Sequence, residues 1–72
     1  MANGIEKIKI RLGSNIKKYR KTLKLTQMQL GVQADITEHY IQLMEKGKST
    51  PSMAVLGRLA DALKVEPHEL LM

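Results

Sequence analysis

Residues 25–47 constrain the fold more than any other part of this 72-residue chain. Leu30 and Ala34 are four residues apart, and Ile36, Ile41 and Met44 continue the apolar pattern beyond them. This spacing places apolar side chains on one face of a helix, and Asp35 interrupts it. We therefore predict two short helices that are joined by a tight turn and packed through one side.

The second of these helices has two chemically different sides. Ile41, Met44 and Thr37 share one side. The opposite side is formed by His39, Gln42, Leu43 and Lys46, and most of these side chains carry hydrogen-bonding groups. Glu38 lies at the flank of the polar side, whereas Glu45 falls on the side expected to pack. The polar side is short of carboxylates and indicates a binding partner.

This segment resembles the helix-turn-helix of the Cro and cI type of phage repressor, and the resemblance extends from about Leu12 to Leu71. It is carried by Leu25, Thr26, Gln27, Leu30, Gly31, Ile36, Ile41, Met44, Glu45, Gly47, Pro51, Ser52, Glu69, Leu70 and Leu71. It implies an all-α, compact five-helix bundle in which helices 2 and 3 form the motif at about residues 26–46. One departure is Asp35, where the family usually has Gly; Asp tolerates the left-handed conformation such a turn needs.

The resemblance also implies a partner, double-stranded DNA, and the residues that bind it: Thr26, Gln27, Thr37, Glu38, His39, Gln42, Leu43, Lys46, Lys48, Ser49 and Thr50. Gln27 would hold a phosphate and buttress the recognition helix. Within that helix, Gln42 could pair with adenine through two hydrogen bonds and His39 could donate to guanine or to a phosphate. Leu43 could pack against a thymine methyl group. Glu38 can accept from cytosine but is repelled by phosphates, so we expect it to filter sequences.

Two further implications concern charged residues. Lys46, Lys48 and the two hydroxyl residues after them would clamp the sugar-phosphate backbone. The family pairs an Arg at the end of the first helix with the Glu that ends the recognition helix, which here are Arg20 and Glu45. This structural ion pair is either buried, where removal of one partner strongly lowers the stability of the fold, or exposed, where it contributes little to stability.

Length and composition are compatible with this interpretation. A chain of 72 residues forms one small domain, and its formal charge of +5 suits a polyanionic partner. The chain has no cysteine, which excludes disulfides and thiolate metal sites. No apolar run approaches the roughly 20 residues that cross a bilayer. We expect a soluble, cytoplasmic protein without enzymatic activity, cofactor, metal or small-molecule ligand.

The spacing predicts a first helix from about Gly4 to Thr22, capped by Asn3 and Glu6 and weakened by Gly13. Its inward stripe would be Ile5, Ile8, Leu12, Ile16, Tyr19 and Leu23. Its lysines form either a solvated face or part of the field that attracts DNA: Lys7, Lys9, Lys17, Lys18 and Lys21. Thr26 and Thr37 are the expected N-caps of the next two helices, and Gly47 is the expected left-handed stop.

The remaining chain predicts a fourth helix, with Met53, Leu56, Ala60 and Leu63 inward, and a short fifth helix after Pro67. This part of the chain also offers more apolar surface than the core of a small bundle can cover, at Val55, Leu59, Leu70, Leu71 and Met72. We therefore expect a homodimer joined through helices 4 and 5, at about residues 53–72. The resemblance implies that this dimer binds a near-palindromic site as a repressor.

The sequence also bears on three other functions. His68 and Glu69 begin like a zinc-protease helix motif, but the second histidine is missing, because Met72 stands at that position. Single-stranded RNA usually needs exposed aromatic platforms, and the chain has only Tyr19 and Tyr40. A protein-interaction module of the same fold, such as an antitoxin or an adaptor, is the alternative of a different class.

Overall fold

Helices form the described part of the chain, residues 3–72 of a computed structural model. The elements are α1 (Gly4–Thr22), α2 (Gln27–Ala34), α3 (Glu38–Glu45), α4 (Met53–Leu63) and a 3₁₀ helix (Pro67–Leu70). Residues 3–72 contain no strand, so the predicted all-α fold is confirmed. The expected fifth helix is a single 3₁₀ turn. None of the described helices is long and apolar enough to cross a membrane.

Each α-helix begins beside a polar side chain that accepts a hydrogen bond from the backbone three residues later. The capping residues are Asn3, Thr26, Thr37 and Ser52. At Thr26 the cap is doubled, since the Gln29 side chain accepts from the backbone N–H of Thr26 at 2.8 Å. Such caps satisfy donors that have no partner inside the helix. The predicted starts of α2 and α3 are therefore confirmed.

The turn between α2 and α3 is fixed by backbone geometry. Asp35 adopts the left-handed conformation, with φ of 57°, as predicted. The N–H of Ile36 then donates to the carbonyl of Gly31 at 2.9 Å. A Cβ at Gly31 would lie 2.8 Å from the Ile36 carbonyl oxygen, so glycine permits this close approach. From α4, Arg58 donates to the last carbonyl of α2, that of Ala34, at 2.9 Å.

One apolar cluster holds all five elements together. Its members are Leu12, Ile16, Leu30, Ala34, Ile41, Met44, Leu56, Leu59, Ala60, Leu63 and Leu70. The 3₁₀ helix contacts both α1 and α4, which buries Leu70. Leu59 and Leu70 were predicted to be surplus surface; both are fully buried. This correction leaves less apolar surface on the last two helices than the sequence indicated.

Three residues predicted to point inward are exposed. Ile5 and Ile8 are 64% and 51% exposed, because α1 has 19 residues whereas α2 and α3 have 8 each. The first turns of α1 therefore extend past the helices that would cover them. Met53, at the first position of α4, is also exposed. Helical spacing identified these faces correctly as apolar but did not show where the core ends.

Gly13 is the contact point between α1 and the end of α3. It is buried, and a Cβ there would collide with the carbonyl oxygen of Met44 and lie 3.1 Å from that of Glu45. Glycine lowers the helix propensity of α1, as the sequence predicted. The close approach of the two helices explains why it is present.

Two glycines within helices give a matched test of this contact. We expect Gly13→Ala to lower the free energy of unfolding by about 1–3 kcal/mol through overpacking. Gly57 lies within α4 with no atom within 4 Å of a Cβ position, so Gly57→Ala should raise it by about 0.5–1 kcal/mol through helix propensity. Urea denaturation of both variants measures the difference, and equal effects would show that α1 and α3 do not touch at Gly13.

Candidate nucleic-acid interface

The third helix, α3, separates a buried side from an accessible one. Ile41 and Met44 have no exposed surface. The accessible residues are Glu38, His39 and Lys46, which are exposed, and Gln42 and Leu43, which are half-buried. Thr37 is exposed at the N-terminus, where its hydroxyl accepts from the Tyr40 N–H at 3.0 Å. The side chains that the resemblance implied for base contacts thus share the surface of α3 that faces away from the core.

The start of α2 lies beside the end of α3. Thr26 is exposed and its hydroxyl accepts from the Gln29 N–H at 3.0 Å. The half-buried Gln27 donates through Nε2 to Glu45 Oε1 at 3.1 Å, which joins α2 to α3. The first N–H groups of α2 point away from the helix body and lack acceptors within it. The N-terminus of α2 therefore favours the binding of an anion such as a phosphate.

Arg20 and Glu45 form a buried ion pair between α1 and α3. Arg20 Nε lies 2.7 Å from Glu45 Oε2, and Arg20 Nη2 donates to Oε1 at 3.0 Å. The two side chains are 10% and 5% exposed. Arg20 Nη1 also donates to the Leu25 carbonyl at 2.9 Å. The guanidinium therefore fixes the end of α3 and the chain segment that leads into α2.

The loop after α3 carries the hydroxyl and lysine residues expected at the backbone. It turns at Gly47, whose φ is 72°, as the sequence predicted. The Lys48 N–H donates to the Leu43 carbonyl at 2.9 Å. Lys46, Lys48 and Thr50 are exposed, and Ser49 is half-buried. The loop thus places two lysines at the C-terminal end of the accessible side of α3.

Charge along this surface favours an anionic partner. Between residues 37 and 50 the acidic residues are Glu38 and Glu45, and Arg20 neutralises Glu45 inside the molecule. The lysines that follow α3 are exposed, and the whole chain carries a formal +5. Glu38 is therefore the one accessible carboxylate on this segment. It is the residue that opposes binding of phosphates at close range.

Sequence reasoning missed three side chains that hold this surface in place. Arg58 binds the turn before α3, and the Tyr40 hydroxyl donates to the Thr50 carbonyl at 2.9 Å. Asn15 donates from α1 to the carbonyls of Leu70 and Met72, each at 2.9 Å. Each acceptor is a backbone carbonyl at least ten residues away in sequence, so no local pattern indicates these contacts. Gly13 did offer a signal, since glycine inside a helix often marks a close approach.

Comparison with known proteins places this architecture in a family. The helix-turn-helix family model HTH_3 matches residues 16–70. The immunity repressor protein of Bacillus phage phi105 is 36% identical over 55 residues, which are 76% of this chain and 38% of that repressor. The chain therefore spans well under half the length of that relative.

Two further proteins match over most of their own length. An uncharacterized HTH-type transcriptional regulator of Sinorhizobium fredii is 32% identical over 60 residues, 83% of this chain and 78% of that regulator. The P22 c2 repressor, solved in complex with synthetic operator 9T, superimposes with a TM-score of 0.81 at 32% identity. The match covers 83% of this chain and 91% of that chain.

The fold, the capped helix pair and these matches together define the class. The chain belongs to the helix-turn-helix family of DNA-binding transcriptional regulators, of the Cro and cI phage-repressor type. The expected family and its all-helical architecture are thereby confirmed.

Removal of Glu45 tests how much the ion pair contributes. We expect Glu45→Ala to lower the free energy of unfolding by about 3–5 kcal/mol, because the Arg20 guanidinium would stay buried without its carboxylate. Asp61 is an exposed carboxylate on α4, so Asp61→Ala, the matched control, should change stability by less than about 0.5 kcal/mol. Thermal denaturation compares the two, and a loss below about 1 kcal/mol for Glu45→Ala would show that water screens the pair.

Proposed function

We propose that this protein is a sequence-specific repressor of transcription that acts as a homodimer on a near-palindromic DNA operator. The observation that carries the proposal is the division of α3. Its inner side is locked to α1 and α2 through Glu45, while its outer side presents hydrogen-bonding groups to solvent. A helix held in this way can enter the major groove as a rigid reader of base edges.

Base contacts are assigned to the accessible side of α3. Gln42 pairs with adenine through its amide, His39 donates to guanine or to a phosphate, and Leu43 packs against a thymine methyl group. Thr37 and Glu38 lie at the N-terminal end of α3, which approaches the base edges in this docking mode. Glu38 accepts a hydrogen bond from cytosine and disfavours other bases at that position. It therefore contributes selectivity and little affinity, because nearby phosphates repel its carboxylate.

Backbone contacts come from the two flanks of α3. On one flank, Thr26 and Gln27 present the N-terminus of α2 to a phosphate. The bond from Gln27 to Glu45 leaves the amide a second N–H, so one side chain serves both contacts. On the other flank, the four loop residues that bind the backbone are Lys46, Lys48, Ser49 and Thr50. These contacts fix the register of α3 on the duplex.

The dimer surface is assigned to residues 53–72. Met53, Leu71 and Met72 are exposed there, and Ile8 of α1 lies beside Leu71 around a shallow depression. In the proposed dimer, a two-fold axis through this surface would set two copies of α3 about 34 Å apart, one turn of DNA. The alternative, a protein-interaction module such as an antitoxin or an adaptor, requires a broad apolar groove on α4 and the 3₁₀ helix. Burial of Leu59 and Leu70 reduces the apolar surface available to either kind of partner, so the exposed hydrogen-bonding side of α3 is what favours the DNA-binding proposal.

Selection of bound sequences from random duplex DNA tests the proposal directly. We expect enrichment of a palindromic consensus whose half-sites are about 34 Å apart, centre to centre. Sedimentation with the selected duplex should give two chains per site. Failure to enrich any sequence, or one chain bound to a site without symmetry, would contradict the proposed repressor dimer.

Two substitutions separate the reading of bases from the binding of phosphates. Gln42→Ala should weaken discrimination at one base pair by about 1–3 kcal/mol and leave affinity for random duplex nearly unchanged. Lys48→Ala should weaken binding to both duplexes equally and reduce the slope of log affinity against log salt by about one unit. Fluorescence anisotropy titrations at several salt concentrations measure both effects. Equal losses on both duplexes for Gln42→Ala would remove its assignment to a base.

A further inference from the structure

In the loop that contacts the DNA backbone in the proposed function, the segment just before α4 is joined to α3 by one side chain, that of Tyr40. We infer that Tyr40 is a positioning residue: its hydroxyl sets the place of the loop relative to the base-reading side of α3. Tyr40 thereby controls affinity for duplex DNA of any sequence through the loop it holds. This inference rests on the proposed function, and it assigns a role to a residue that belongs to neither set of DNA contacts.

The position of the hydroxyl is determined by the core. The Tyr40 side chain is half-buried and its ring packs against the apolar cluster. Its neighbour Ile41 is completely buried, so the backbone that carries the ring is held as well. The hydroxyl donates to the Thr50 carbonyl at 2.9 Å. A fixed donor at this distance restricts where the carbonyl, and therefore the loop, can lie.

The middle of the loop depends on this bond. At its start, the N–H groups of Gly47 and Lys48 donate to carbonyls of α3 at 3.0 and 2.9 Å. At its end, Ser52 accepts from the Val55 N–H at 3.2 Å and begins α4. Between them, within the described residues 3–72, residues 49–51 make one hydrogen bond to the rest of the chain, which is that from Tyr40.

Proline makes the Thr50 carbonyl an effective point of attachment. Pro51 has a fixed φ and restricts the residue before it to extended conformations. Holding the Thr50 carbonyl in addition leaves the segment little freedom. Ser49 and Lys48 lie one and two residues before Thr50, so the bond also fixes the backbone from which their side chains reach the phosphates. A loop ordered before binding loses less entropy when DNA binds.

A pair of matched substitutions tests the role. Tyr40→Phe removes the hydroxyl and keeps the ring that packs against the core. Tyr19→Phe, the control, removes the same atom from the half-buried tyrosine of α1. The Lys18 ammonium lies 5.2 Å from the centroid of the Tyr19 ring, a contact that the substitution keeps. We expect Tyr40→Phe to weaken binding to the selected site and to random duplex by the same factor, about 3- to 10-fold, because binding must then order a loop that one hydrogen bond had ordered in advance. Tyr19→Phe should leave both affinities within about twofold, below the effect of one hydrogen bond.

The binding results separate failure of this inference from failure of the proposed function. If Tyr40→Phe binds both duplexes like the wild type, or loses affinity for the selected site alone, the positioning role is wrong while the DNA-binding function stands. Equal losses for the two phenylalanine variants would also overturn it, since they would reflect general loosening. Wild-type protein that binds neither duplex would overturn the proposed function, and this inference with it.

Amide relaxation measured by NMR gives a readout that does not depend on DNA. In Tyr40→Phe, order parameters of the Lys48, Ser49 and Thr50 amides should fall while those of α3 stay constant. Tyr19→Phe should leave the loop amides unchanged. Constant order parameters in the Tyr40→Phe loop would overturn the positioning role even if affinity falls.

Discussion

The buried contact between Arg20 and Glu45 is the interaction on which the arrangement of the first three helices depends. A carboxylate and a guanidinium removed from water are favourable only when their hydrogen bonds are satisfied. Glu45 achieves this by accepting from Arg20 and Gln27, and Arg20 also donates to the Leu25 carbonyl. Because these groups belong to α1, α2, α3 and the segment between α1 and α2, moving α1 or α3 would leave a buried charge without its partner, and moving α2 would remove the hydrogen bond from Gln27 to Glu45.

Close backbone contacts add a steric restriction to this electrostatic one. Gly13 lets α1 touch the carbonyls at the end of α3, and Gly31 lets α2 touch the backbone just before α3. Arg58 adds a contact from α4 to the turn between α2 and α3. Both ends of α3 are therefore determined by groups outside it. Its orientation is a property of the whole bundle, which suits a short helix of 8 residues that would be unstable alone.

Local signals predicted the elements, and long-range packing explains what they missed. Capping threonines and the left-handed Asp35 depend on neighbouring residues, so the bounds of the first three helices could be predicted. Periodicity indicates which side of a helix is apolar but not what covers it. Ile5, Met53 and Leu59 were assigned wrongly for this reason. The hydroxyl of Tyr40 reaches a carbonyl ten residues away, a contact that depends on the path of the loop.

The two sides of α3 share no residue, and this has an evolutionary consequence. Stability depends on Ile41, Met44 and Glu45, which are inaccessible or paired within the molecule. The accessible His39 and Gln42 can be exchanged with little effect on folding, because they are not members of the apolar cluster. In the proposed mode of binding, new target preferences can therefore arise by single replacements that leave the stability of the fold almost unchanged, so paralogues with an identical scaffold can diverge to govern different genes.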